Sequence, residues 1–271
     1  MSGKTKKLET LTYEIKDRVG LITLSRLDAR NALNLQMRAD LTEIILEIRQ
    51  DKDLAALVIT GSGGAFCAGG DLKSLSENRR PITDNRTRIQ DLHLWFRELV
   101  DLELPVIAAV DGPAFGAGFN LALAADFIFA SPRARFCAVF GRIGLVPDLG
   151  GFFTLPRLVG LQAAKDIIFT ARTLEPEEAK SLGMIRDIIP ENDLLDHALA
   201  FAGQLRNASR EAIGMSKTIL NKSFELDQRA LSEMESYAQA MCMESQYHHD
   251  AVARFLDKKP LTFNWDKEQI K

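Results

Sequence analysis

The chain has 271 residues, of which 46% are hydrophobic and 26% are charged, with a formal net charge of −3. This length is enough for one large domain, and the nearly balanced charges give no footprint for nucleic acid or an anionic membrane surface. No signal-peptide core follows the basic amino end, and no apolar run approaches membrane-spanning length. We therefore expect a globular protein with neither nucleic acid nor membrane as a partner.

The predicted elements alternate between strands and helices up to about residue 160. Residues 11–26 alternate in polarity around a central turn, which predicts a hairpin, and Asn34 is a candidate cap for an amphipathic helix that ends near Gln50. Further elements follow: a strand at 56–60, helices at 85–102 and from Ala117, and strands at 106–110, 127–130 and 135–137. Such repetition of strand-plus-helix units is typical of a layered superhelix.

Beyond residue 160 strand signals are scarce except at 185–189, and apolar helix faces recur at 194–205, 210–223 and 231–243. We place a superhelical core at 1–195 and a helical region at 196–271 that packs on neighbouring subunits. The tail at 258–271 has no periodicity, and Phe263 and Trp265 are its candidate anchors.

The cysteines and histidines indicate which disulfide, thiol-nucleophile and metal sites the chain could form. Cys67, Cys137 and Cys242 are an odd number of thiols in a chain without a secretion signal, which predicts reduced thiols and a cytoplasmic location. Cys67 has no histidine nearby in sequence to ionise it, so we expect a small buried side chain. No cysteines or carboxylates surround the four histidines at ligand spacing, and we expect no metal site.

Two glycine-rich turns each follow a predicted buried strand. The segments are GSGGAFCAGGDL at 61–72 and GPAFGAGFN at 112–120. Glycine lets a backbone turn tightly and lie open to a ligand, and free N–H groups from two such turns can stabilise one oxyanion. The alternative is that the glycines only permit close packing of helix on strand.

The segments AFCAGGDL, PVIAAVDGPAFGAGFNLALAADFIFA and RIGLVPDLGG resemble the crotonase superfamily, the enoyl-CoA hydratases and isomerases. RIGLVPDLGGFFTLPRLVG is especially similar to the phenylacetate-pathway isomerase branch. The resemblance implies an α/β fold, a repeated ββα superhelix with a helical C-terminal oligomerisation region. It also implies a homotrimer or homohexamer and an acyl-CoA substrate that carries its own coenzyme, so that no separate cofactor is needed.

By the same resemblance, the Gly70 and Ala117 N–H groups form an oxyanion hole for the thioester oxygen of the substrate. Arg30 is in the stretch that lines the CoA nucleotide in the family, although a solvated arginine beside a helix start is an equal alternative. The other expected substrate-binding residues are Ala68, Asp71, Leu72, Gly116, Asn120 and Phe140.

The acid–base groups depart from the hydratase pattern. Asn120 and Phe140 occupy the places of the two hydratase glutamates, and neither can carry a proton at neutral pH. Asp148 matches the aspartate of several isomerases, and its apolar neighbours are expected to raise its pKa. Its alternative role is to cap the following helix. Glu77 is a weaker candidate for a second catalytic group.

We therefore expect an enoyl-CoA isomerase that uses Asp148 as its single acid and base. Three alternatives remain open: hydration by Asp148 with an ordered water, ring-forming or ring-opening chemistry on an aryl-derived CoA ester, and a degenerate acyl-CoA-binding or scaffold protein.

Overall fold

A computed structural model describes residues 4–73 and 81–265 of the chain. The strands within these ranges are β1 (Lys4–Lys7), β2 (Leu11–Lys16), β3 (Val19–Leu24), β4 (Ala56–Gly61), β5 (Val106–Val110), β6 (Pro113–Phe115), β7 (Phe127–Ala130), β8 (Arg135–Cys137), β9 (Thr173–Leu174) and β10 (Asp187–Ile188).

The α-helices of the same ranges are α1 (Leu35–Gln50), α2 (Ile82–Val100), α3 (Ala117–Leu123), α4 (Gly151–Val159), α5 (Leu161–Thr170), α6 (Pro176–Ser181), α7 (Leu194–Leu205), α8 (Arg210–Lys222), α9 (Gln228–Met243) and α10 (Gln246–Leu256). Two 3₁₀ helices cover Leu27–Ala29 and Val139–Ile143. None of these helices combines the length and apolar character needed to cross a bilayer.

The larger sheet has seven strands in the order β1-β2-β3-β4-β5-β7-β10. Its first three strands are antiparallel, which confirms the hairpin expected at 11–26, and β3, β4, β5, β7 and β10 are parallel. The central strands β4 and β5 are buried almost throughout. Parallel strands of this kind are covered on both faces, which explains their continuous apolar runs.

A second, smaller sheet supplies the additional strand of each ββα unit. The strands β6 and β8 each follow a strand of the large sheet and pair in parallel within a three-stranded sheet, β6-β8-β9. Isolated parallel bridges join Leu33 to Gly70 and Cys67 to Ala114, at the equivalent places of the earlier units. The chain thus passes from large sheet to small layer to helix in successive turns, which confirms the predicted superhelical α/β fold.

The edge strand β1 is rich in lysine and is tied to helix α1 by charge. Lys6 Nζ lies 2.8 Å from both Glu43 and Glu47, and Lys4 also pairs with Glu47. Further along the chain, the Asn34 side chain accepts the Met37 N–H at 2.8 Å, so the predicted cap of α1 is confirmed.

The first helix of the predicted C-terminal region, α7, packs on the large sheet. Helix α7 packs on the large sheet through Phe201 and its neighbours, and Phe263 and Trp265 pack against the same cluster, as expected of tail anchors. The boundary that we place between residues 195 and 196 falls inside α7, and the division into two regions stays a prediction.

A buried ion pair joins α8 to the sheet. Lys217 is 8% exposed, and its Nζ lies 2.8 Å from Asp126 Oδ2 and 3.2 Å from the Leu104 carbonyl oxygen. The same Asp126 oxygen accepts the Val106 N–H at 2.7 Å at the start of β5. Because each charge is satisfied by the other and by backbone, the cluster fixes where α8 docks.

We expect Lys217→Met to lower the free energy of unfolding by about 1 to 3 kcal/mol, because it leaves the partly buried Asp126 without its cation. Lys222→Met on the exposed side of the same helix is the control, with an expected change within about 0.5 kcal/mol. Urea denaturation measures both. Equal stability of the two variants would show that the pair contributes nothing.

Candidate active site

The two glycine-rich turns meet in the small layer. The Phe115 N–H donates to the Cys67 carbonyl at 2.9 Å, and the Cys67 N–H donates to the Pro113 carbonyl at 3.0 Å. A Cβ on Gly118 would lie 2.2 Å from the Cys67 carbonyl oxygen, so α3 is packed directly on the backbone of the first turn. Only glycine permits this approach, which brings two separate strand ends together.

The predicted oxyanion-hole donors lie on these adjoining turns. Within residues 4–73 and 81–265, neither the Gly70 N–H nor the Ala117 N–H donates a hydrogen bond to another residue. A Cβ on Gly69, which has φ +99°, would lie 3.6 Å from the Ala117 nitrogen. Two free donors are thus held near one another, as stabilisation of an enolate oxygen requires.

Arg26 and Asn31 hold the first turn in place. Asn31 is fully buried; its Oδ1 accepts the Arg26 N–H, and its Nδ2 donates to the carbonyls of Ser62 and Ala65 at 2.9 and 2.7 Å. Arg26 Nη1 lies 3.0 Å from Asp71 Oδ2. This role of Asn31 was not predicted from the sequence, in which an asparagine three residues before the helix cap was the available signal.

The other predicted contacts with substrate surround this turn. The Arg30 carbonyl accepts the Ala68 N–H at 3.0 Å, while the Arg30 side chain is exposed, as a role at the CoA phosphates requires. Leu72 is 56% exposed, and Asp71 also accepts the Lys73 N–H. Their contacts with substrate stay predictions.

Phe140 lies beside the second turn. A Cβ on Gly116 would come within 3.7 Å of its ring, and Phe140 itself is 7% exposed. Gly116 has φ +53° and immediately precedes α3. An apolar ring therefore lies beside Gly116 at the position where the resemblance places the second hydratase glutamate, and such a ring cannot activate a water.

Asn120 joins α3 to the segment that carries Asp148. It is 1% exposed, and its Nδ2 donates to the Asp148 carbonyl oxygen at 2.7 Å. A Cβ on Gly151 would collide with the same amide, so α4 begins in close contact with it. Because Asn120 lies one helical turn after Ala117, this hydrogen bond connects the second glycine-rich turn to the segment of the candidate base.

Asp148 stands on a strained turn before α4. Leu149 has φ +41° although it is not glycine, and Gly150 has φ +67°. Helix α4 has no side-chain cap: Gly150 is the N-cap residue, and the Gly151 N–H bonds to the backbone carbonyl of Asp148. The alternative role of Asp148 as a helix cap is therefore wrong, and its carboxyl is left available.

Burial raises the pKa of Asp148 to about 6, and the positive charges of Arg38 and Arg88 oppose that rise. Its Oδ1 is buried and has no hydrogen-bond partner within the described residues. A carboxylate in this state is a stronger base than an exposed one, and it is still ionised at neutral pH.

Cys67 is fully buried, and burial raises the pKa of its thiol to about 12, so it is not a thiolate nucleophile. Glu77 lies outside the described residues. Across residues 4–73 and 81–265, no three His, Cys, Asp or Glu side chains are placed to share a metal ion.

Comparison with known proteins decides the family. Residues 14–267 match the sequence profile of the family described as enoyl-CoA hydratase/isomerase. The chain belongs to this family. It is therefore a crotonase-type enzyme that acts on CoA thioesters, as the resemblance of the two glycine-turn segments to this superfamily implies.

Proteins named as hydratases and a protein named as an isomerase are both similar to this chain. A probable enoyl-CoA hydratase of Mycobacterium bovis is 35% identical, over 94% of this chain and 98% of the relative. The 1,2-epoxyphenylacetyl-CoA isomerase of Escherichia coli is 30% identical, over 94% and 98%. The crystal structure of an enoyl-CoA hydratase/isomerase from Cupriavidus metallidurans superposes with a TM-score of 0.92 at 38% identity, covering 96% and 97% of the two chains.

We expect Gly118→Ala to lower kcat/KM for an enoyl-CoA by at least about 100-fold, because the new methyl group forces the two turns apart. It should also cost about 1 to 3 kcal/mol of stability. Gly203→Ala in α7 is the matched control, since nothing lies within 4 Å of its added Cβ. The control should keep full activity, and equal activity of both variants would refute the dependence on close approach.

Asp148→Asn should stabilise the enzyme at pH 8 by about 1 to 3 kcal/mol, because ionising a buried carboxyl opposes folding. The folded-state pKa is about 6, raised from 3.8, so the stability supplied by the neutral acid is lost as pH rises through this range. The advantage of the variant should therefore shrink towards pH 4. Urea denaturation across pH tests this, and a gain that does not vary with pH would contradict it.

Proposed function

We propose that this enzyme moves the double bond of an enoyl-CoA from the 3 to the 2 position, with Asp148 as its only acid and base. The observation that carries the proposal is one buried carboxyl with a raised pKa, next to a turn at which Asn120 and Phe140 offer no second proton carrier. A reaction that returns the same proton to another carbon needs only one such group.

The reaction begins with ionised Asp148. Its carboxylate takes a proton from the α carbon, and the electrons of that C–H bond form the enolate, whose charge develops on the thioester oxygen. The Gly70 and Ala117 N–H groups stabilise that oxygen. Neutral Asp148 then gives the proton to the γ carbon, and the double bond comes to rest between the α and β carbons.

The surroundings of Asp148 suit both halves of this cycle. A pKa of about 6 leaves the group ionised before proton abstraction and makes it an adequate acid afterwards. Asn120 holds the turn that carries Asp148 by its backbone carbonyl, and a Cβ on Gly150 would meet the ring of Phe96, so this turn is packed on both sides. Positioning of this kind supplies part of the rate enhancement.

Hydration is the second candidate, because several of the similar proteins are named hydratases. It would require Asp148 to activate an ordered water without a glutamate on α3. Chemistry on an aryl-derived ring is favoured only by the relative named 1,2-epoxyphenylacetyl-CoA isomerase, and this is also the support for a role in phenylacetate degradation.

We propose that the enzyme works in the cytoplasm as a homotrimer or homohexamer. Helices α9 and α10 have no buried residues in the single chain, and large apolar side chains on and beside them are exposed. These are Phe224, Tyr237, Met241, Phe255 and Leu256, each at least 67% exposed. Burial of such a surface against other copies would remove it from water.

Asp148→Asn should abolish conversion of 3-hexenoyl-CoA to 2-hexenoyl-CoA, with a loss of at least about 100-fold in kcat, because the amide keeps the shape and removes the base. The wild-type reaction, followed by mass spectrometry, should move the double bond without a gain of one water. Asp53→Asn, at an exposed site, is the control and should keep full activity.

Two results would overturn the proposal. Undiminished turnover by Asp148→Asn would show that another group moves the proton. A product that gains one water from 2-hexenoyl-CoA, with no movement of the double bond in 3-hexenoyl-CoA, would establish the hydratase.

A further inference from the structure

The direction of the Gly70 N–H is set by the peptide group to which it belongs. The same peptide group contains the Gly69 carbonyl, whose oxygen accepts the Leu33 N–H at 2.8 Å. This peptide is planar and trans, so its C=O and its N–H point in opposite directions. The hydrogen bond from Leu33 therefore aims the Gly70 N–H away from the segment that carries Leu33.

The other candidate donor, the Ala117 N–H, is aligned by its own helix. Its peptide group contains the Gly116 carbonyl, which accepts the Asn120 N–H at 3.1 Å in the first turn of α3. Gly70 is paired instead with Leu33 in an isolated parallel bridge. Its alignment therefore depends on a segment about forty residues earlier in the chain.

One arginine holds both sides of this bridge. Arg26 Nη1 donates to the Ala32 carbonyl oxygen at 2.5 Å and lies 3.0 Å from Asp71 Oδ2. Residue 32 is next to one partner of the bridge and residue 71 is next to the other, so a single nitrogen joins the two paired segments. The side chains of Arg26 and Asp71 are only 16% and 13% exposed, and solvent therefore screens their ion pair weakly.

The backbone that Arg26 holds is strained. Arg30 and Asn31 are both in the left-handed region, with φ of +48° and +59°, although neither is glycine. Residues in such conformations persist only where the surrounding contacts impose them. The buried Asn31 side chain supplies some of these contacts, and Arg26 supplies the one that reaches across to Asp71.

We propose that Arg26 is a positioning residue for the oxyanion hole, which fixes the direction of the Gly70 N–H by holding Ala32 and Asp71 together. It acts through the peptide group of Gly70 rather than by contact with the substrate. The inference rests on the proposed function for the role of the Gly70 and Ala117 N–H groups. It adds to that function a side chain on which stabilisation of the enolate depends, whichever group moves the proton.

The opposing explanation is that Arg26 attracts the negative enolate by its charge alone. The two explanations differ in what they predict for Asp71→Asn. This variant removes a negative charge, so a charge effect alone would make the enolate more stable. If Arg26 acts by positioning, the same variant weakens the ion pair and makes the enolate less stable.

The experiment uses acetoacetyl-CoA, a β-keto thioester that loses a proton to give an enolate with near-ultraviolet absorbance. Titration of the bound ligand with pH gives its ionisation constant, which two oxyanion donors should raise above the value in water. Arg26→Met should lower this constant by about 10-fold relative to wild type, and Asp71→Asn should lower it by a smaller factor. The affinity for butyryl-CoA, which forms no enolate, should change by less than about 3-fold in both variants.

Turnover gives a second measure of the same effect. Arg26→Met should lower kcat for 3-hexenoyl-CoA by about 10- to 100-fold and change KM by less than about 3-fold, because the oxyanion charge develops only towards the transition state. Arg26→Lys should keep part of the activity, since lysine retains the charge and a donor. Arg49→Met is the matched control: Arg49 pairs with Glu98 at the surface, and the variant should behave as wild type. Circular dichroism establishes that each variant is folded.

Wild-type ionisation of acetoacetyl-CoA bound to Arg26→Met would overturn the inference. A raised ionisation constant in Asp71→Asn would overturn it in favour of a charge effect, and an equal loss of affinity for both CoA esters would overturn it in favour of a general loosening of the site. Because the ionisation measurement involves no turnover, the inference can fail while isomerisation by Asp148 holds, or hold while the reaction proves to be hydration.

Discussion

The whole site depends on one close backbone contact, between Gly118 at the start of α3 and the carbonyl of Cys67. The contact joins turns that are about fifty residues apart in sequence and belong to successive ββα units. Each turn ends a buried parallel strand, and strands β4 and β5 are themselves neighbours in the sheet. The pairing of β4 with β5 therefore brings the two turns to the same region, and the absence of a side chain at Gly118 lets their backbones touch. Two backbone N–H groups, of Gly70 and Ala117, are thus held near one another by contacts between the backbones of the two turns, as an oxyanion hole requires.

Asp148, the candidate base, lies beside a strained backbone position. The carboxyl is removed from water, Leu149 beside it adopts a left-handed conformation, and Asn120 holds the same turn by its backbone carbonyl. A left-handed residue and a buried carboxyl both cost free energy, so the surrounding structure must hold this turn in place. The family is shown by the match over residues 14–267. The isomerase reaction that we propose depends instead on Asp148 and on positions 120 and 140, where the chain departs from the hydratase pattern implied by the resemblance.

Much of the fold could be predicted from the sequence because its signals are local. Strands β5, β7 and β8 and helix α7 fall where apolar patterning places them, and the cap at Asn34 is as expected. The strands β6 and β9 were not predicted, since each has three residues or fewer and is defined by partners far along the chain. Asn31 was missed for the same reason: its role consists of hydrogen bonds to residues some thirty positions away. The resemblance located both turns and Asp148, but the exclusion of the capping role required the geometry of α4.

The lysine-rich edge strand β1 has a consequence for how copies of this chain can meet. An open sheet edge invites another strand to pair with it, and the chain places Lys4 and Lys6 there, held by glutamates of α1. A second sheet that approached this edge would bring its own lysines against these and would have to break their ion pairs. The lysines of β1 therefore oppose the addition of further strands at this edge of the seven-stranded sheet. The apolar surfaces of the C-terminal helices lie away from that edge in sequence and can form contacts between copies that close rather than propagate.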